Sequence, residues 1–246
     1  LRVPMARSAS NGFGNAIHYA LEMYFRDMEA DPARTVPEEE VLHTHFRIGM
    51  KKYHSHFTAK ERELSEVRGK ILLAEYFAEY SSQWSLPRKF EMEFDIKTEY
   101  GGVPISGKLD QVAVYDNHLE VIDYKTGRYD SAKLKGPTGD EDLGGDYWRQ
   151  IVFYKLLLRG DDRLKQTMRS GSMDFVEKQK DGRFQRRKFE VEEFEMEIVG
   201  KQLVDSYKGI QNHEFNKGCG EENCKWCNFV NENMAVPDLM EGDAED

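Results

Sequence analysis

The sequence predicts an α/β fold, an antiparallel or mixed β-sheet flanked by helices, on three observations. Residues 89–125 carry three successive β-rich runs, KFEMEFDIKTEY, VPISGKLDQVAVYD and LEVIDYK, separated by the turn-formers Tyr100-Gly101-Gly102 and Asn117-His118. Runs with helical spacing of apolar residues lie before and after them. A second hairpin is centred on Asp181-Gly182. No repeat or linker divides these elements. Residues 1–236 therefore read as one domain, and the acidic residues 237–246 as a flexible tail.

In chain order, NGFGNAIHYALEMYFRDM is predicted helical, with Phe13, Ile17, Leu21 and Tyr24 along one stripe. A second helix follows from VPEEE, whose proline and glutamates suit a helical first turn. Thr58 to Glu61, TAKE, has capping-box form, and a long helix should run from it to about Gln83. After the three strands, Thr126 to Asp146 is loop-like and holds five glycines. That exceeds the ~12–15 residues usual for an unstructured connection and suggests an element that orders on binding substrate. YWRQIVFYKLLLRG is a helix, MDFVEKQKDGRFQRRKFEV a hairpin, and VEEFEMEIVGKQLVDSYKGIQ a late helix.

Of the 246 residues, 39% are hydrophobic and 33% charged, a globular composition with a well-solvated surface. No run approaches the ~18 apolar residues of a membrane span, and no signal peptide opens the sequence, so no membrane partner is expected. The start at Leu1 suggests an excised domain or a processed chain. Three cysteines, clustered at 219, 224 and 227, argue for a reducing, cytoplasmic location with metal binding as a candidate use. The net charge of −10 gives no general attraction to nucleic acid. The basic stretch Lys178 to Lys188 reads equally as a charged hairpin edge or as a track for a polyanion.

The chemistry concentrates in GKLDQVAVYDNHLEVIDYKTG. Asp is disfavoured inside a strand, and a half-buried carboxylate is costly unless compensated. A two-residue turn at Asn117-His118 would pair Asp116 with Leu119, set Asp110 opposite Lys125, and set Val112 opposite Asp123. Asp110, Asp123 and Lys125 would then share one face, with the two carboxylates diagonal neighbours. Carboxylates aimed at one point need a proton or a cation between them, and oxygen ligands suit Mg²⁺ or Mn²⁺. A structural Asp–Lys ion pair is the competing explanation. Glu91 and Glu93 share a face of the preceding strand; one of them could approach the site, but solvated sheet residues are the expectation. The members of His43/His45 and of His54/His56 would point to nearly opposite sides of a helix, so neither pair chelates well and they read as surface.

GKLD, followed by DYKTG with thirteen residues from Asp110 to Asp123, resembles the core of the RecB-like branch of the PD-(D/E)XK nucleases. GNAIHYALE resembles that branch's early helix, and WRQIVFYKLLL its Gln-x-x-x-Tyr helix. The resemblance spans about His18 to Tyr154 and continues weakly to the cysteines. It implies a restriction-endonuclease-like core and metal-dependent hydrolysis of DNA. His18, Asp110, Asp123 and the backbone carbonyl of Tyr124 would hold the ion. Lys125 would orient or deprotonate the attacking water, and Gln150 and Tyr154 would contact the substrate or the catalytic residues. It further implies an exonuclease on single-stranded ends, working in repair or recombination with a helicase motor in the same or an associated polypeptide. A catalytically idle nucleic-acid-binding or scaffold domain of the same fold is the alternative. The late cysteines in this branch hold an iron–sulfur cluster with a fourth, earlier cysteine. Here no fourth exists, so a cluster is not expected. Zinc held by Cys219, Cys224, Cys227 and His213, or an empty site, is expected instead.

Overall fold

The structure, a computed structural model, describes residues 7–139, 143–214 and 223–234. It forms two compact units, residues 1–201 and 202–246, each described by itself. The acidic tail 237–246 lies outside the described residues.

In the first unit, α1 (Ala9–Ala30) starts at Ser8, whose hydroxyl accepts from the Asn11 N–H. Its predicted stripe of Phe13, Ile17, Leu21 and Tyr24 is buried. α2 (Glu39–Lys52) packs on it where Gly49 meets the backbone of Ala16. α3 (Ala59–Tyr80) opens with the capping box read from TAKE: Glu61 N–H donates to Thr58 Oγ1, and Thr58 N–H donates to Glu61 Oε2 at 2.8 Å. The three helices bury an aromatic core in which Phe25 lies 5.1 Å from Trp84 and 4.7 Å from Phe90. Each such fully buried ring stabilises the fold by roughly 2–3 kcal/mol.

The sheet is mixed, with strand order β1-β2-β3-β4-β5. β1 (Lys89–Tyr100) and β2 (Val103–Val114) form a hairpin with Tyr100 opposite Val103. Its two-residue turn, Gly101-Gly102, has φ 57° and 79°, which glycine adopts without steric cost. β2 is antiparallel to β3 (Leu119–Lys125), and β3 is parallel to β4 (Met168–Phe175). The crossover between β3 and β4 carries α4 (Asp146–Arg159), which packs on the sheet. β4 begins earlier than its polar sequence suggests. Small residues are required there, because a Cβ on Gly171 would lie 2.6 Å from the Ile151 side chain of α4. β5 (Gln185–Phe189) closes the edge, and the unit ends within α5 (Glu193–Gln211).

Two expectations change. The β2–β3 connection is a four-residue loop, Tyr115 to His118, with Val114 opposite Leu119. Tyr115 stacks on His118 at 4.5 Å and donates its N–H to the His118 carbonyl, which favours the wider loop over a two-residue turn. The loop after β3 has packing of its own: Leu134 is buried, Gly145 N–H donates to the Lys135 carbonyl, and Gly136 and Gly144 lie against Trp148. The basic hairpin is a neutralised edge at three positions. Lys178 pairs with Glu75, Arg186 with Asp174, and Lys188 with Glu120.

The α1–α2 contact positions His18, two residues beyond Ala16. A Cβ on Gly49 would lie 2.9 Å from the Ala16 carbonyl oxygen, and helix backbone yields little. Gly49→Ala is expected to lower the urea midpoint by about 1–3 kcal/mol of stability.

Candidate active site

β2, β3, α1 and α4 bring Asp110, Asp123, Lys125, His18, Gln150 and Tyr154 to one region of the first unit. Continuing the β2–β3 register one step past Gln111–Ile122 sets Asp110 opposite Asp123, not opposite Lys125. The slip from the expected register is two residues, so facing is conserved and only the partner changes.

Asp123 is the most enclosed member, its side chain 3% exposed. Its Oδ1 accepts from the Tyr154 hydroxyl at 2.7 Å and from Gln150 Nε2 at 2.8 Å. Gln150 in turn accepts from Lys125 Nζ at 2.9 Å through Oε1. Gln150 and Tyr154 lie one helical turn apart on α4, which lets both reach the same carboxylate. Asp123 Oδ2 lies 2.6 Å from Lys125 Nζ, so the ammonium takes up the charge of this buried oxygen.

Asp110 faces the α1 side. Its Oδ2 accepts from the Tyr124 backbone N–H at 2.9 Å and lies 3.4 Å from His18 Nδ1. The Tyr124 N–H thus ties the two carboxylates together through β3, while the Tyr124 hydroxyl donates to Gln111 on the other side of the sheet. The environments push the two acids apart. Burial and then the Asp110 charge raise the Asp123 carboxyl above its ordinary range. Burial also acts to raise Asp110, but the His18 hydrogen bond and charge and the Tyr124 N–H outweigh it and hold Asp110 low. For His18, burial opposes protonation, and the Asp110 hydrogen bond and charge more than offset it, so its pKa is raised.

Of Glu91 and Glu93, it is Glu93 that approaches the site, where a solvated position was the expectation. One ligand atom from each of His18, Glu93 and Asp110 falls within a mutual 4.8 Å. Neighbouring ligands on one octahedral Mg²⁺ lie about 3 Å apart, so the three groups would close by up to about 2 Å around an ion. Glu93 lies opposite Asp110 in the β1–β2 register and adopts φ 51°. Side-chain facing changes across it. Met92 sits in the α1–α3 core, whereas Thr98, of the same parity, donates to the Gly160 carbonyl at the end of α4. A non-glycine residue in that conformation costs of order 1 kcal/mol. The signal for Glu93 was in the sequence, since the Gly101-Gly102 turn sets a register that puts it across from Asp110.

The donor set suits a hard divalent ion, with the His18 imidazole and the Glu93 and Asp110 carboxylates converging. The family model of the PD-(D/E)XK nuclease superfamily matches residues 1–231. The chain belongs to this superfamily. Among solved structures, the PD-(D/E)XK chain resembles a protein from Eubacterium rectale provisionally assigned as an exonuclease. They share 13% identity over 97% of this chain and 91% of that one, with a TM-score of 0.50. It also matches SSO0001 at 16% identity, covering 96% and 89% of the two chains, with a TM-score of 0.35. No curated protein matches the sequence. The mixed five-stranded sheet flanked by helices is that of the PD-(D/E)XK fold. No helix among the described residues is long and apolar enough to cross a membrane.

In the second unit, His213 has φ 57° just beyond α5, and its N–H donates to the Ile210 carbonyl as part of the helix end. Cys224 and Cys227 lie at the start of α6 (Lys225–Met234) and are not disulfide-bonded. Cys219 lies outside the described residues.

The opposed acids of this PD-(D/E)XK site have a consequence for stability. Above its raised folded pKa the folded protein holds Asp123 charged at a cost that disappears as pH falls through that pKa. Asp110 behaves oppositely: its stabilisation is present above the ordinary carboxylate range and is lost only as pH falls through its depressed folded value. Asp123→Asn keeps an acceptor for Tyr154 and removes the charge. It should raise metal-free stability by about 1 kcal/mol at pH 7. Urea midpoints should show this gain shrinking as pH drops into the Asp123 window, before the Asp110 contribution begins to fall.

Proposed function

We propose that the chain is a metal-dependent deoxyribonuclease of the RecB-like branch, acting as an exonuclease on single-stranded ends. The observation that supports this best is the convergence of two oppositely biased carboxylates, His18 and Lys125. A purely structural ion pair would need neither the imidazole beside Asp110 nor the Glu93 carboxylate within reach of both. A bound Mg²⁺ or Mn²⁺ would neutralise charge on the scissile phosphate and acidify water. His18, Asp110, Asp123 and the Tyr124 carbonyl would hold the ion, and Glu93 would join them from β1. Asp110, kept ionised by His18 and the Tyr124 N–H, remains a ligand at low pH. Lys125, braced by Gln150 and Asp123, orients the attacking water and stabilises the charge that develops on the phosphate. Tyr154 and Gln150 fix the Asp123 carboxylate and so act through it.

The assignment of the Eubacterium rectale protein favours exonuclease action, and the resemblance of the motifs favours a helicase motor as partner. Labelled single- and double-stranded DNA incubated with Mg²⁺, Mn²⁺ or chelator tests the reading. Cleavage should require the ion, fall by about 10³-fold in Asp110→Ala, Asp123→Ala and Lys125→Ala, and fall roughly 10- to 100-fold in Gln150→Ala. Full activity in folded Lys125→Ala would sink the catalytic assignment. DNA binding without cleavage by the wild type would favour the idle-domain alternative.

The cysteine group is a separate proposal. Zinc on Cys219, Cys224, Cys227 and His213 would pin the C-terminal segment and leave catalysis untouched. Elemental analysis of anaerobically purified protein should find zinc or no metal there and no visible absorption. A brown protein with stoichiometric iron would contradict this.

A further inference from the structure

A cleft of about 560 Å³ opens beside His18 and Glu93, between α1, the Tyr53–His56 corner and Thr126. A space of that size holds a small ligand, on the scale of one nucleoside. Its walls have two chemistries. Tyr19 and Tyr53 supply aromatic rings, and the Lys52 ammonium lies over one face of each, 4.6 Å from the Tyr19 centre and 5.5 Å from that of Tyr53, which leaves the opposite faces for a ligand. Asn11 and Asn15, a helical turn apart on α1, supply amides. Neither amide hydrogen-bonds another described residue, so each offers a donor and an acceptor to whatever enters.

The charge pattern selects the ligand class. Among the described residues Arg7 is the one lysine or arginine in the lining; Lys52 is held on the tyrosine rings, and the lining carboxylates Glu22 and Glu93 pair with Arg26 and Lys108. The charges are thus balanced, and a phosphate finds no surplus of cations there. A nucleobase suits both walls, because its face stacks on tyrosine and its edge pairs with an amide. We propose that this cleft takes the nucleobase adjoining the phosphodiester held at His18, Asp110 and Asp123, stacking it on Tyr19 and contacting its edge through Asn15. This rests on the nuclease reading above and adds a specificity element to it.

The test uses the full chain and short single-stranded oligodeoxynucleotides in Ca²⁺, with an abasic site walked along the strand. One position should weaken wild-type binding by roughly 5- to 150-fold, the range for a stacked base. In Tyr19→Ala the intact strand should bind as weakly as that abasic strand, with no further loss on combining the two. Tyr19→Phe keeps the ring and should restore the wild-type profile, separating stacking from folding. Asn15→Ala should weaken the intact strand and leave the abasic one unchanged. A flat abasic profile, or the same profile in wild type and Tyr19→Ala, overturns the inference. If wild-type protein with Mn²⁺ still cleaves while the profile is flat, only this inference fails. Absence of both binding and cleavage overturns the nuclease reading with it.

Discussion

The hydrogen-bonded burial of Asp123 is the constraint on which the rest of the structure depends. A carboxylate 3% exposed in the middle of a sheet would unfold or neutralise without partners. Tyr154 and Gln150 supply hydrogen bonds from α4, and Lys125 supplies charge two residues along the same strand. For α4 to reach Asp123 it must lie close on the sheet, and Gly171 on β4 is what permits that approach. The parallel β3–β4 pairing follows, because a crossover helix is the connection that parallel neighbours require.

On the opposite flank the same economy applies to Asp110. Its oxygen is held by a backbone N–H of β3 and by an imidazole of α1, so the helix layer and the sheet meet at one atom. The close α1–α2 contact at Gly49 and the aromatic core beneath α1 hold that imidazole in place. Glu93 completes the flank at the cost of a left-handed backbone. The bend there lets β1 and β2 serve the α1–α3 core at one end and α4 at the other. Strain of this kind persists only where the surrounding structure over-determines it.

The carboxylates' opposed environments arise from these different neighbours, not from any difference in residue type. One acid accepts from a backbone N–H and an imidazole and stays ionised. The other is deeper, faces the first acid's charge, and resists ionisation. A cation at the proposed site would offset the cost of ionising Asp123.

Much of this was legible in the residues themselves. Helix-period stripes determined α1, and the TAKE capping box determined the start of α3. The Gly101-Gly102 turn determined the β1–β2 register, because local backbone chemistry leaves few alternatives there. The strand period determined that Asp110, Asp123 and Lys125 belong together, and an even register slip cannot undo that. Tertiary structure alone decided which partner each would have. The stacking of Tyr115 on His118 widened the β2–β3 loop, which set Asp123, instead of Lys125, opposite Asp110. It likewise decided that Glu93 joins the site and that the polar start of β4 is a buried strand. Those outcomes turn on contacts between segments distant along the chain, and neither periodicity nor propensity within one segment carries information about them.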